Sequence, residues 1–445
     1  MIAMKRFKKN HLYHLYMVEI QRKVYSNGLI ATAIPLEGKT KIAFSVGIDV
    51  GAKNESTERK GCAHLLEHMM FRSNDFRTSD QLAEAVEFSG MDINARTSLT
   101  ETTLAFQLPP EKLGLAIELA YQSIVSKSYN VDEFETEKNG PVTTELVGHE
   151  RTPGERYFRR ILLPRVFKGT PFGDAVIGTF VSVRGLQIPD LIAMKKEFYH
   201  PNNMVVAAAG AVNSSLFFDL LESSFGSLPS CKVTQPTFFW NLRAGTKYVE
   251  FDDFKDPKNE LQDQASVSVV YQVNDLTHPD AVGLSLVQMM VGGGFTSWLF
   301  RELRKERGIG YTPKASYTSR RGKAVLMMRV PELHPNRLEE SVGVMEDMVQ
   351  RLKLGKIDQR FLEGKKTQMR SSLMSLLEES SVHVGSAIAK EFDKPYYTLE
   401  SSIEAIDKMT LGYLQDVLRR NLNGDPLIVI ASAPGYRNRF CSEFE

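Results

Sequence analysis

A long internal repeat constrains the fold of this chain more than any single motif does. The order of apolar segments in the first half returns about 222 residues later, too long a period for a solenoid and suited to a duplicated domain. In the first half a strand candidate, AFSVGIDVGA (43–52), precedes an apolar helical segment, AHLLEHMMF (63–71). An alternating strand, TTLAFQLP (102–109), places Leu104, Phe106 and Leu108 on one face. An amphipathic helix (110–127) follows, a further helix starts at 132–138, and the half closes with the strand NMVVAAAGAV (203–212) and a short helix (215–229). The second half repeats this with the strand ASVSVVYQV (265–273), the helix AVGLSLVQMMVGG (281–293), the strand AVLMMRVP (324–331), helices at 335–353 and 357–381, and the strand PLIVIASAP (426–434). In the overlay Pro109 falls on Pro331.

Alternating strands suggest antiparallel sheets with one face on a core and one toward water. The expected fold class is therefore α+β: two duplicated domains, each a mainly antiparallel sheet with helices packed on one face. Residues 1–16 read as a disordered or non-native extension, 17–230 as the first domain, 231–245 as a linker and 246–445 as the second domain. Lys and Arg total 55 against 54 for Asp and Glu, a net charge of +1, so nothing in the charge points to nucleic acid or an anionic membrane as partner. The three cysteines, Cys62, Cys231 and Cys441, are too far apart and too few for a disulfide framework. The basic start of the chain lacks the apolar stretch of a secretory signal, and the longest apolar runs are too short to cross a bilayer. The expected setting is cytoplasmic.

The segment GCAHLLEHMMF (61–71) carries the chemistry. On a helix His64 and His68 are one turn apart, with their Cβ atoms about 6 Å from each other on one face. Two neutral imidazoles at that spacing chelate Zn²⁺, and Glu67 can reach a metal-bound water without ligating the metal. This order, H-x-x-E-H, is the inverzincin signature. Leu65, Leu66, Met69, Met70 and Phe71 set the same helix against a core, where two unpartnered imidazoles would be costly. A catalytic zinc site needs a third protein ligand. Glu145 is the best candidate, with Glu135, Glu137, His149 and Glu150 as nearby rivals that spacing alone does not eliminate.

With these residues the chain resembles the pitrilysin/insulinase-family metallopeptidases, in the mitochondrial-processing-peptidase-like subgroup. KVYSNGLIATAIP (23–35), GMDINARTSLTETTLAF (90–106), FYHPNNMVVAAAGAV (198–212) and VGGGFTSWLFRELRKERGIGY (291–311) are similar to that family's segments, so the resemblance spans about 20–434. It implies the processing-peptidase-like metallohydrolase fold, with the first domain binding one zinc per chain through His64, His68 and Glu145, and Glu67 as general base. It also implies that Arg304 and Tyr311, seven positions apart, face a metal site from another domain and bind substrate or oxyanion. Asn94, Ala95, Arg96 and Thr97 correspond to the family's substrate-binding edge. One departure stands out. The family usually has another Glu, supporting the ligands, seven residues before the ligand Glu, where this chain has Lys138, with Glu137 one step off and Asn139-Gly140-Pro141 interrupting the helix; either a helix begins at that interruption or a bulge there restores Glu137 to the supporting position.

The implied activity is a zinc-dependent endopeptidase acting on peptides or small unfolded polypeptides in an enclosed chamber. Family members enclose substrate between two halves, and this chain has the length of one half. A homodimer is therefore expected, or else a heterodimer with a related subunit. The alternative is a non-catalytic scaffold or partner subunit, against which the intact His64, Glu67 and His68 set argues.

Overall fold

The structure, a computed structural model, describes residues 19–320, 322–392, 399–436 and 439–442. The extension expected over 1–16 lies outside them. Among the described residues eleven strands form two sheets. The first contains β1 (Gln21–Val24), β2 (Ile30–Pro35), β3 (Ile42–Ile48), β4 (Asp92–Thr97), β5 (Thr102–Leu108) and β6 (Met204–Gly210), in the order β1-β2-β6-β3-β5-β4. The second contains β7 (Gly245–Glu250), β8 (Ala265–Val273), β9 (Lys314–Arg320), β10 (Lys323–Leu333) and β11 (Leu427–Ser432), in the order β7-β11-β8-β10-β9.

The two orders are the same once β1 is set aside. Each sheet has one parallel pair, β2 with β6 and β7 with β11, and its other pairs are antiparallel. The start of β9 at residue 314 is 222 positions after the start of β4 at residue 92. The repeat in the sequence is thus a repeated topology, and the α+β duplicated fold holds. Residues 229–244 carry no regular element between the two copies.

Strand sequence follows strand position. Central β3 and β6 are apolar or small and buried at every residue, whereas β4, an edge strand, alternates exposed and half-buried positions along DINART. Helices of the first half cover one face of its sheet around Phe44, Val46, Leu104, Phe106 and Val206. The alternating pattern implies that the opposite face meets water, but the structure adds a cover there. The helix Ser380–Glu391, from the second half, lays Val384, Ala387 and Ile388 on Ile34, Ala43, Val205, Ala207 and Ala209. Small residues allow this approach, since a Cβ on Gly47 would lie 2.5 Å from Ile388 Cγ2.

The second sheet is covered in return. A helical stretch over 153–166, with a π-helical middle at Tyr157–Leu162, leaves the first half and packs on β8, β10 and β11. Tyr157, Leu162, Phe167 and Phe172 bury against Val270, Val325, Met327 and Val429. The Tyr157 hydroxyl lies 2.9 Å from the Val429 carbonyl and 3.0 Å from the Ser268 hydroxyl. Leu162 and Val384 are 222 residues apart (384 − 162), so the same segment of each copy is the one exchanged. Among the described residues no helix is long and apolar enough to cross a membrane.

This exchange should tie the halves into one cooperative unit. Phe167→Ala should cost about 3–5 kcal/mol and Ile388→Ala about 2–5 kcal/mol. In chemical denaturation each should shift a single transition. A melt in which only one half responds would refute the coupling.

Candidate metal centre

The motif helix, Cys62–Met69, starts at Gly61 in the left-handed region (φ 90), where a Cβ would sit 2.6 Å from the Ile177 carbonyl. The Glu55 carboxylate accepts hydrogen bonds from Gly61 N at 2.9 Å and Ala63 N at 2.7 Å, satisfying donors the first turn leaves open. Cys62, Leu65, Leu66 and Met69 face the core, so Cys62 is a buried thiol rather than part of the site. His64, Glu67 and His68 lie on the remaining face. Burial, and then the neighbouring His68, hold the His64 imidazole well below its ordinary pKa, which favours the neutral form that metal ligation needs.

Glu145 comes from a helix pair, Val131–Asn139 and Pro141–His149, broken at Gly140 (φ −100, ψ −94). Pro141 has no N–H to continue the ladder. Thr143 Oγ1 instead donates to the Lys138 carbonyl at 2.9 Å. The break changes the register. On a straight helix, residues eight apart such as Glu137 and Glu145 would diverge by about 80°, while residues seven apart nearly align. The irregular turn takes up the extra residue. Glu137 Oε2 lies 3.0 Å from His68 Nδ1, and its other oxygen accepts from Arg72. Lys138 points elsewhere, to Glu135 at 2.7 Å and the Leu186 carbonyl at 3.3 Å.

The ligand atoms converge. Glu145 Oε2 is 3.3 Å from His64 Nε2 and 3.6 Å from His68 Nε2. These distances are long for hydrogen bonds. They match the edges of a zinc tetrahedron, in which bonds of about 2.0–2.1 Å place neighbouring ligand atoms about 3.4 Å apart. Among the described residues, His64, His68 and Glu145 are the one cluster of three or more metal-ligating side chains. Two imidazole nitrogens and a carboxylate oxygen are the donor types zinc takes. His68 is oriented by Glu137, as ligating histidines commonly are by a carboxylate. His64 Nδ1 is buried without a side-chain or backbone hydrogen-bond partner among the described residues, and the ring packs edge-on against His68, centroids 4.8 Å apart.

Glu67 stands beside the cluster. Burial raises its pKa above the ordinary carboxylate value, against the opposing effect of a hydrogen bond from Thr97. Thr97 ends the edge strand that also carries Asn94, Ala95 and Arg96, and its hydroxyl lies 3.3 Å from the Ala63 carbonyl. The motif helix and the β4 edge are therefore joined. Of the rivals for third ligand, Glu135 pairs with Lys138, Glu150 with Arg160, and His149 hydrogen-bonds Glu145. Arg304 and Tyr311 meet each other, the guanidinium 4.1 Å from the Tyr311 ring centroid and 4.9 Å from that of Phe300. Among the described residues no hydrogen bond or ion pair links either of them to the His64–Glu145 cluster. Arg72 and Arg159, both in contact with groups behind the ligands, carry no signal in the sequence that would have singled them out.

Comparison with known proteins places the chain among zinc peptidases. Residues 33–179 match the family model for Insulinase (Peptidase family M16), and 185–369 match that for the Peptidase M16 inactive domain. An uncharacterized zinc protease of Bacillus subtilis, YmxG, is 23% identical over 88% of this chain and 93% of its own length. Zinc protease PqqE of Helicobacter pylori is 26% identical over 82% of each chain. The crystal structure of a protease from Helicobacter pylori superposes with a TM-score of 0.79 at 24% identity, covering 94% of this chain and 100% of that one. The peptidase M16 inactive domain from Pseudomonas fluorescens gives 0.80 at 19% identity, with 94% and 100% covered.

The contacts assign Glu137, not Lys138, to the support of His68. Glu137→Ala should weaken zinc binding about 10–100-fold in competition with a chelating dye. Lys138→Met should leave it unchanged, and the reverse pattern would overturn the assignment.

Proposed function

The chain belongs to the insulinase family of peptidases, family M16, and on that premise we propose that it is a zinc-dependent endopeptidase. The observation that carries the reading is the convergence of His64 Nε2, His68 Nε2 and Glu145 Oε2, with Glu67 alongside. A zinc ion held by those three side chains would supply an acidified water and polarise the scissile carbonyl. The remaining work is proton and hydrogen-bond management by the chain itself. Glu67, whose proton affinity burial raises, takes up the proton as the peptide bond is attacked and returns it to the leaving amine.

Substrate binds as an added strand along β4, where Asn94, Ala95, Arg96 and Thr97 offer an open edge next to the motif helix. Backbone pairing of this kind gives affinity with loose sequence preference, which fits peptides and small unfolded polypeptides. Tyr311 donates to the developing oxyanion and Arg304 holds substrate carbonyls. The two residues form their own unit in the second half of the chain. A homodimer enclosing a chamber supplies them to the partner's metal centre. The free cysteines Cys62 and Cys231 suit a cytoplasmic setting.

A non-catalytic partner subunit in a heterodimer is the competing reading. The match of 185–369 to an inactive-domain model is compatible with it, whereas the complete donor set beside Glu67 favours catalysis.

Digestion of a peptide library, read by mass spectrometry, should show cleavage that a chelator abolishes and added Zn²⁺ restores. Glu67→Gln should keep stoichiometric zinc and lose about 10²–10⁴-fold in turnover. Undiminished turnover would remove Glu67 as the base, and a library left uncut by the zinc-loaded chain would favour the partner-subunit reading. Light scattering should give twice the chain mass, and an active monomer would refute the shared chamber.

A further inference from the structure

Behind Glu145 stands a pair of side chains with no part in the chemistry above. Arginine can only donate hydrogen bonds. Arg159 Nη2 is hydrogen-bonded to His149 Nδ1. The network therefore makes Nδ1 the acceptor and places the ring proton on Nε2. That Nε2 lies 3.1 Å from Glu145 Oε1 and donates to it. One carboxylate oxygen is committed to His149, and the other, Oε2, is the one that faces both His64 and His68.

We propose that His149 and Arg159 are positioning residues that orient the Glu145 carboxylate for the metal. The proposal rests on the reading of His64, His68 and Glu145 as a zinc site. Glu145 needs such support more than the other ligands do. Both imidazoles sit on the well-packed motif helix, and His68 has Glu137 behind it. Glu145 has a flexible side chain that is 42% exposed, on a nine-residue helix that ends at His149. Left free, its carboxylate would sample many rotamers, and binding would have to order it. The hydrogen bond from His149 does that ordering in advance.

Arg159 brings a second constraint. It belongs to the π-helical Tyr157–Leu162 turn, whose Tyr157 and Leu162 are buried against the second sheet. The guanidinium is therefore mounted on the segment by which the first half docks onto the second. Correct placement of the third ligand is tied to correct assembly of the two halves. His149 is not itself a ligand in this arrangement, because Arg159 occupies one ring nitrogen and Glu145 the other.

Zinc dissociation constants of the full chain, measured by competition with a chromophoric chelator, test the proposal. His149→Ala and Arg159→Met should each weaken zinc about 10–100-fold. His149→Gln should recover most of the loss, since a carboxamide offers one acceptor to Arg159 and one donor to Glu145. Affinities within twofold of the unsubstituted chain in both loss variants would overturn it, as would a Gln variant no better than Ala at equal thermal stability of the metal-free proteins. X-ray absorption that counts one nitrogen ligand fewer in zinc-loaded His149→Gln would make His149 a ligand and also overturn it. If the unsubstituted chain bound no zinc, the metal reading itself would fail, a result distinct from any of these.

Discussion

Two sheets whose central strands are apolar on both faces set the terms for this molecule. β3 and β6 are buried at every position, and so is β11 in the second copy. The helices each half keeps for itself cover only one side of such a sheet. The rest is met by exchange, with 153–166 going one way and Ser380–Glu391 the other. Burial of each large apolar side chain contributes about 1.5–3 kcal/mol, so neither face could be left open at a tolerable cost. Everything at the metal centre is built on helices anchored by this arrangement.

The centre itself depends on a local irregularity. A straight helix would place Glu137 and Glu145 on different faces. The turn at Gly140–Pro141 brings one carboxylate behind His68 and the other in front of both histidines. Glu145 then divides its two oxygens between the ligand cluster and His149. In the proposed reaction the same residue type serves as ligand, support and base at positions 145, 137 and 67, each set apart by what lies on the far side of the carboxylate.

What could be read from the chain in advance was whatever is short-range or periodic. His64, Glu67 and His68 are one helical turn, so their shared face follows from spacing alone. The duplicated topology shows because strand and helix patterns recur at a fixed interval. The support for His68 could be narrowed to positions 137 and 138 but not settled, since the choice depends on the backbone angles of Gly140, which the letters Asn-Gly-Pro leave open. Arg159 was invisible because it meets His149 from within the π-helical segment, across the turn at 150–152 and the short helix Pro153–Arg156. The exchanged covers had one sign in the sequence: MVVAAAG, the run that becomes β6, has no polar alternation, as a strand covered on both faces requires.

The exchange has a consequence for what the connecting chain does. Residues 229–244 join two units that already embrace through their second faces. Two separate copies of one ancestral unit, trading the same segment across a twofold axis, would bury equivalent surfaces as a swapped dimer. Fusion of two such genes would add a tether and remove only the entropy of finding a partner. On that history, 229–244 is a covalent convenience, and a break there should leave two fragments that stay together.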